Sequence, residues 1–129
     1  MEVGKHLPED ASQHVTAGPY SPVLVVKADK LALISGQAPL DEQGNVIGET
    51  IEEQTRVTLD NCLKQLKTVN CDFSDVFKVN VYLTNLDEWD RFNVVYQEYM
   101  PEPRPVRTAV QSGLLSTFKV EIEMWAIHR

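Results

Sequence analysis

From Phe118 to His128 the chain alternates without a break. Val120, Ile122, Met124 and Ala126 fall on one face; Glu121, Glu123, Trp125 and Ile127 fall on the other. Successive side chains of a strand point to opposite faces, so this segment is a strand with one face on a core. Its second face is not purely polar. A sheet covered on one side should be polar on the free side, yet Trp125 and Ile127 stand there. Other subunits are expected to cover them, because the chain has no element left over to do so. A lone exposed Trp would be the bland alternative.

The rest of the pattern supplies the partners of that strand. Val23 to Lys27 and Leu31 to Gln37 read as a hairpin, turning at Ala28-Asp29-Lys30. Asp41 to Gly48 is a turn region rich in Gly, Asn and Asp. Thr50 with Glu53 forms a capping box, and Ile51, Thr55, Leu59, Cys62, Leu63 and Leu66 then recur at helical spacing. That helix should end near Val69, with Asn70 in the left-handed conformation. Val76 to Leu83 alternates as a strand, with Phe77, Val79, Val81 and Leu83 on one face. A second helix starts at Asn85 and Glu88, carries Trp89, Phe92, Asn93, Tyr96 and Tyr99 on its stripe, and is stopped by Pro101, Pro103 and Pro105. Arg107 to Gln111 is a short strand. The expected architecture is α+β: one mixed β-sheet with two helices packed on one face, in a single domain over residues 1–129.

Charge limits the partners. Nineteen acidic against twelve basic residues give a net charge of −7, and no basic cluster appears, so no nucleic-acid partner is expected. No apolar run approaches the roughly 20 residues of a membrane span. Two cysteines, Cys62 and Cys71, are too few for a disulfide framework, and no signal peptide is read at the N-terminus, so the expected compartment is the cytoplasm.

The loud catalytic motifs are missing: no phosphate-binding loop, no dinucleotide fingerprint, no HExxH, no GxSxG. The three histidines show no metal-ligand spacing, so neither a metal nor a cofactor is expected. Quieter residues remain. Arg107 follows a proline-rich turn at the start of a strand, and its planar fork grips a carboxylate with two parallel hydrogen bonds. For an arbitrary arginine, a solvated or salt-bridged role is the commoner one. Glu121 lies on the free face of the last strand, where a covered carboxylate must be paired or functional. From spacing alone, an ion pair and a proton-transfer role stand level, and Glu123 competes for either. Tyr20 sits in the turn Gly18-Pro19-Tyr20-Ser21. Ser35 and Gly36 end a strand, and Gly36 permits close backbone approach. Asn93 lies within an apolar stripe and needs a partner.

Taken in order, Gly18-Pro19-Tyr20-Ser21, Ser35-Gly36-Gln37, Phe92-Asn93-Val94-Val95-Tyr96, Arg104-Pro105-Val106-Arg107-Thr108-Ala109 and Val120-Glu121-Ile122-Glu123 resemble the Rid family of reactive intermediate/imine deaminases, also called the YjgF or L-PSP family. The resemblance runs from about Gly18 to the C-terminus. It implies a chorismate mutase-like fold, a homotrimer and clefts between subunits. It implies hydrolysis of 2-aminoacrylate-type enamines and imines to 2-oxo acids and ammonia. Arg107 matches the arginine that holds the substrate carboxylate, and Glu121 the glutamate near the hydrolytic water. Tyr20, Ser35 and Asn93 match residues that line the cleft. The reaction is fast in water, so orientation, a placed water and a proton relay suffice.

One departure stands out. A cysteine occupies the position two after the arginine in a well-known subset of the family, and here it is Ala109. A smaller side chain would leave more room, which favours a 2-aminomuconate-type deaminase of aromatic degradation as an alternative. A non-catalytic metabolite-binding or holdase-like module is the alternative from another class; it would keep Arg107 but make Glu121 dispensable. A ribonuclease, reported for some relatives, fits the acidic charge and the absence of a His pair least.

Overall fold

The computed structural model describes residues 1–129. The last alternating segment is strand β6, Val120–His128, and it lies inside the sheet. Chain order gives β1 (Gly4–His6), β2 (Val25–Lys27), β3 (Lys30–Gln37), α1 (Ile51–Lys67), β4 (Val76–Leu83), α2 (Trp89–Tyr99), β5 (Val106–Gln111) and then β6. The main sheet has the order β3-β6-β4-β5. β6 pairs antiparallel with both neighbours, and β4 pairs parallel with β5 across α2, so the sheet is mixed. Both helices lie on one face of it. Leu59 and Cys62 of α1 and Phe92 and Val95 of α2 share one core cluster with Val79, Val81, Ile122 and Met124 of the strands. The fold is α+β.

The local signals act where the spacing placed them. Thr50 accepts from the Glu53 N–H at 3.1 Å, and the Glu53 carboxylate accepts from the Thr50 N–H at 3.2 Å, so the reciprocal cap starts α1. Asn70 has φ of 59°, the left-handed turn after the helix. Gln54, buried in α1, accepts from the Lys119 N–H at 2.7 Å and donates to Thr117 O at 3.2 Å. It fixes the loop that leads into β6.

Three expectations change. β2 does not pair with β3; it pairs antiparallel with the N-terminal β1. Ala28-Asp29 offers none of the Gly or Asn that a two-residue hairpin turn requires. In β4 the register shifts between Val76 and Lys78, which breaks the strict alternation. Val76 takes the fully buried place and Phe77 stays half-buried, outside the core cluster. The third change concerns the free face. Ile127 is fully buried within one chain, so it needs no neighbour, whereas Trp125 is half-buried. The N-terminal strand that the alternation did not reveal lies at that end of the sheet. Lys5 Nζ donates to Val76 O at 2.6 Å, and Arg129 Nη1 donates to Val3 O at 3.2 Å.

Candidate functional site

Arg107 lies in β5 opposite Val79. Val79 is a core residue, so the arginine points to the helix side of the sheet, beneath α2. It is 8% exposed. Four rings surround its guanidinium carbon, with centroids at 4.8 Å for Tyr96, 5.0 Å for Tyr20, 5.6 Å for Phe92 and 5.9 Å for Trp89. No carboxylate pairs with it. Nε, Nη1 and Nη2 are all buried without a hydrogen-bond partner. Burial draws its pKa down, against the pull of Tyr96 and Tyr20, but a guanidinium keeps its charge across the working range. The ring faces are the only compensation, at about 0.5–2 kcal/mol for a well-placed ring. Such a group offers a strong site to a planar anion.

The cage has two sources. Trp89, Phe92 and Tyr96 stand at i, i+3 and i+7 of α2, so one helix stripe is both core and site wall. Tyr20 comes from the loop before β2. Ser21 fastens that loop: its N–H donates to Pro105 O at 3.1 Å, and its hydroxyl donates to Arg104 O. Gly18 lets the loop lie on the indole, because a Cβ there would stand 3.0 Å from the Trp89 ring. Asn93, one turn past Trp89, is buried with its Oδ1 unpartnered, and it lines a cavity of about 340 Å³ with Gly18, Trp89, Gln97 and Arg104. Arg107 and Tyr20 therefore stand together, whereas Asn93 lies on the adjoining stretch of α2 in a cavity that Arg107 does not line. Ala109 shares the arginine's face, opposite Val81, and packs against the core. The three α2 rings were read only as a packing stripe. The signal that could have marked them is an aromatic i, i+3, i+7 set in the helix that delivers the chain to an arginine.

Glu121 and Gly36 belong to a second locus. Glu121 is opposite Tyr82, on the sheet face away from the helices. The register shifts between Ile34 and Gln37 in β3, and Gly36 sits in that irregularity. A Cβ on Gly36 would overlap the Glu121 carboxylate, so the glycine makes room for it. Both line a cavity of about 630 Å³ with Gln37, Asn61, Leu115 and Phe118. Ser35 is exposed and lines a separate cavity of about 320 Å³ with Leu33, Gln65 and Thr68. The competition with Glu123 has a geometric outcome. Asn80 Nδ2 and the Tyr82 hydroxyl each donate to Glu123 Oε1 at 2.9 Å, and that bond raises the Tyr82 pKa. Glu121 takes no side-chain hydrogen bond and is the free carboxylate.

One protomer thus holds two half-sites. Arg107 is on an edge strand facing the helices; Glu121 is on the opposite face, toward the other edge. The two cannot meet a single small ligand within one chain. The open face of the sheet is apolar in patches, with Leu31 51%, Leu33 61% and Val110 41% exposed. No cluster of three or more His, Cys, Asp or Glu is placed to hold a metal. No helix is long and apolar enough to cross a membrane.

The family model described as Endoribonuclease L-PSP matches residues 11–128. The chain is 36% identical over 121 residues to "Protein mmf2, mitochondrial" of Schizosaccharomyces pombe, covering 91% of this chain and 94% of that protein. It is 33% identical over 112 residues to the 2-iminobutanoate/2-iminopropanoate deaminase of Homo sapiens, covering 85% and 80%. The crystal structure of RidA from an Antarctic Psychrobacter matches with a TM-score of 0.72 at 32% identity, covering 91% of this chain and 93% of that one.

Proposed function

This chain belongs to the Rid family, also called the YjgF or L-PSP family, and from that premise we propose that it hydrolyses 2-aminoacrylate-type enamines and imines to 2-oxo acids and ammonia. The observation that carries the proposal is Arg107: a buried guanidinium, caged by four rings, with every nitrogen unpartnered. The carboxylate of a 2-imino acid is flat, charged and small enough to answer it.

The chemistry needs little else. The enamine tautomerises to the imine, whose protonated nitrogen leaves an electrophilic carbon next to the carboxylate. Water adds to that carbon and gives up a proton. The carbinolamine collapses to C=O as the C–N bond breaks. One protonated imine and one water become one 2-oxo acid and one ammonium. Arg107 fixes the imine through its carboxylate and cannot itself trade protons. A carboxylate must take the water proton and return it to the departing nitrogen. Glu121, free of partners beside Gly36, suits that role when a second copy delivers it to Arg107.

The assembly follows from the same geometry. Arg107 and Glu121 lie on opposite faces, and Leu31, Leu33 and Val110 are exposed on the Glu121 face. A homotrimer that covers this patch and brings the Glu121 face of one copy to the β5 edge of the next makes the site from two chains. Two buried, unpaired thiols, Cys62 and Cys71, fit a reducing cytoplasm.

A coupled dehydratase assay tests the function. Accelerated pyruvate release is expected for the wild type and is lost in Arg107→Ala. A wild-type rate equal to the uncatalysed control sinks the proposal. One observation favours a second reading, a metabolite-binding module: Glu121 does not reach Arg107 in a single chain. Glu121→Gln separates the two. The deaminase loses turnover and keeps carboxylate binding; the binding module shows no turnover in either form and keeps binding.

A further inference from the structure

The Arg107 guanidinium is closed off. Its nitrogens are all buried, and none of the larger cavities reaches it. A carboxylate therefore meets it only after part of the cage moves. The rings of the cage differ in what holds them. Phe92 and Tyr96 are fully buried members of the core cluster, and Trp89 packs against that cluster from the start of α2. Tyr20 is half-buried and stands outside the set that packs on the core. No hydrogen bond holds its hydroxyl; only its backbone O is engaged, by Gln13 Nε2 at 3.1 Å. Residues 7–24 make hydrogen bonds to the rest of the chain through Ser21 alone, to Pro105 O and Arg104 O.

We infer that Tyr20 is the gate of the Arg107 site: its ring swings out to admit a carboxylate and swings back over the bound anion. This rests on Arg107 as the anion site of the imine-hydrolysis reading and adds the way in. The backbone on both sides of Tyr20 is held, by Gly18 against the Trp89 ring and by Ser21 on Pro105. The ring therefore moves by turning about its own Cα–Cβ bond, between staggered positions about 120° apart. Gly18 gives it clearance, since a Cβ there would stand 3.1 Å from Tyr20 Cε2. The space to receive it is present. Tyr20 also lines a cavity of about 370 Å³ with Leu7, Ala11, Gln13, Pro22 and Pro103. Binding draws on the fraction of molecules with the ring out, so the observed affinity is lowered by that fraction. The ring that closes behind the carboxylate keeps water from the charge pair and so strengthens it.

Phenylglyoxal, which adds its two carbonyls to an accessible guanidinium, reads the gate without any turnover. The rate at Arg107 is followed by peptide mass beside that at Arg129, whose side chain is 55% exposed and serves as the internal reference. Wild-type Arg107 should react about tenfold or more slowly than Arg129, because only the open fraction is attacked. Tyr20→Ala removes the ring and should raise the Arg107 rate to near that of Arg129. Tyr20→Phe keeps the ring, and since the hydroxyl has no partner it should react as the wild type does. Ala11→Trp fills the cavity that receives the ring and should slow Arg107 below the wild-type rate, with Arg129 unchanged. It also decides the matter should Tyr20→Ala fail to fold, as circular dichroism would show. Wild-type Arg107 reacting as fast as Arg129 overturns the gate, because the site would then be open. A folded Tyr20→Ala with Arg107 still slow overturns it, because another wall would be the cover. An Ala11→Trp rate equal to the wild type overturns it too, because the ring would not use this cavity. The expected modification pattern in a protein that accelerates no imine upholds the gate and overturns the deaminase reading. Imine turnover with a freely reactive Arg107 does the reverse.

Discussion

Arg107→Met should stabilise the protein while abolishing its anion site. The guanidinium is 8% exposed, and none of its three nitrogens has a partner. A buried donor left unmatched costs about 1–3 kcal/mol. The rings return part of this. Tyr96 at 4.8 Å and Tyr20 at 5.0 Å are the best placed, and each contributes about 0.5–2 kcal/mol. The balance leaves the empty site unfavourable by about 2 kcal/mol. Methionine keeps the length and flexibility of the side chain, packs well against aromatic faces and brings no charge to bury. The variant should therefore unfold about 4–10 °C higher. Circular dichroism melts at pH 7 read this, at matched subunit concentration because assembly raises apparent stability. A small carboxylate ligand should raise the wild-type melting temperature and leave the variant's unchanged. A variant that melts several degrees below the wild type would refute the reasoning. The guanidinium would then be satisfied in the native protein, and its unmatched nitrogens would not mark a binding site.

Three other outcomes are expected. Gly36→Ala forces the Glu121 carboxylate aside and should lower kcat at least tenfold with little change in carboxylate affinity, measured by steady-state kinetics beside calorimetric binding. Leu33→Asp, at a 61% exposed position on the open face, should dissociate the assembly and remove activity with the protomer still folded, seen by sedimentation together with circular dichroism. Lys5 is held near pKa 8 by burial, only partly offset by Asp75, against about 10.4 when unfolded. Between those values the unfolded chain binds more protons, so stability rises with pH from about 8 to 10.4. Lys5→Met should flatten that rise in urea titrations.

Much of the framework is legible along the chain because it is locally encoded. The Thr50–Glu53 box, the Asn70 turn and the alternation of β6 depend on residues a few positions apart. β1 is three residues long and carries no apolar alternation, so only its pairing with Val25–Lys27 reveals it. The break at Phe77 is a register event between two strands, and one strand's pattern does not contain it. The site shows the same division. Arg107 and Tyr20 stand out one by one in the sequence and stand together in the fold, while Asn93 lies in a separate cavity along α2. Their cage was hidden because Trp89, Phe92 and Tyr96 have the spacing of an ordinary core stripe. That Glu121 faces away from Arg107 depends on strand order and register, which only the folded sheet provides.

The central claim is that Arg107 of one chain works with Glu121 of another. Arg107→Ala and Glu121→Gln, each inactive alone, test it when they are unfolded, mixed in equal amounts and refolded together. A site shared between chains regains activity wherever an intact Arg107 meets an intact Glu121. Random assembly then returns about a quarter of the wild-type rate, because each shared site draws its two residues from independently chosen chains. A mixture as inactive as its components would contradict the account, since every site would then draw both residues from one chain.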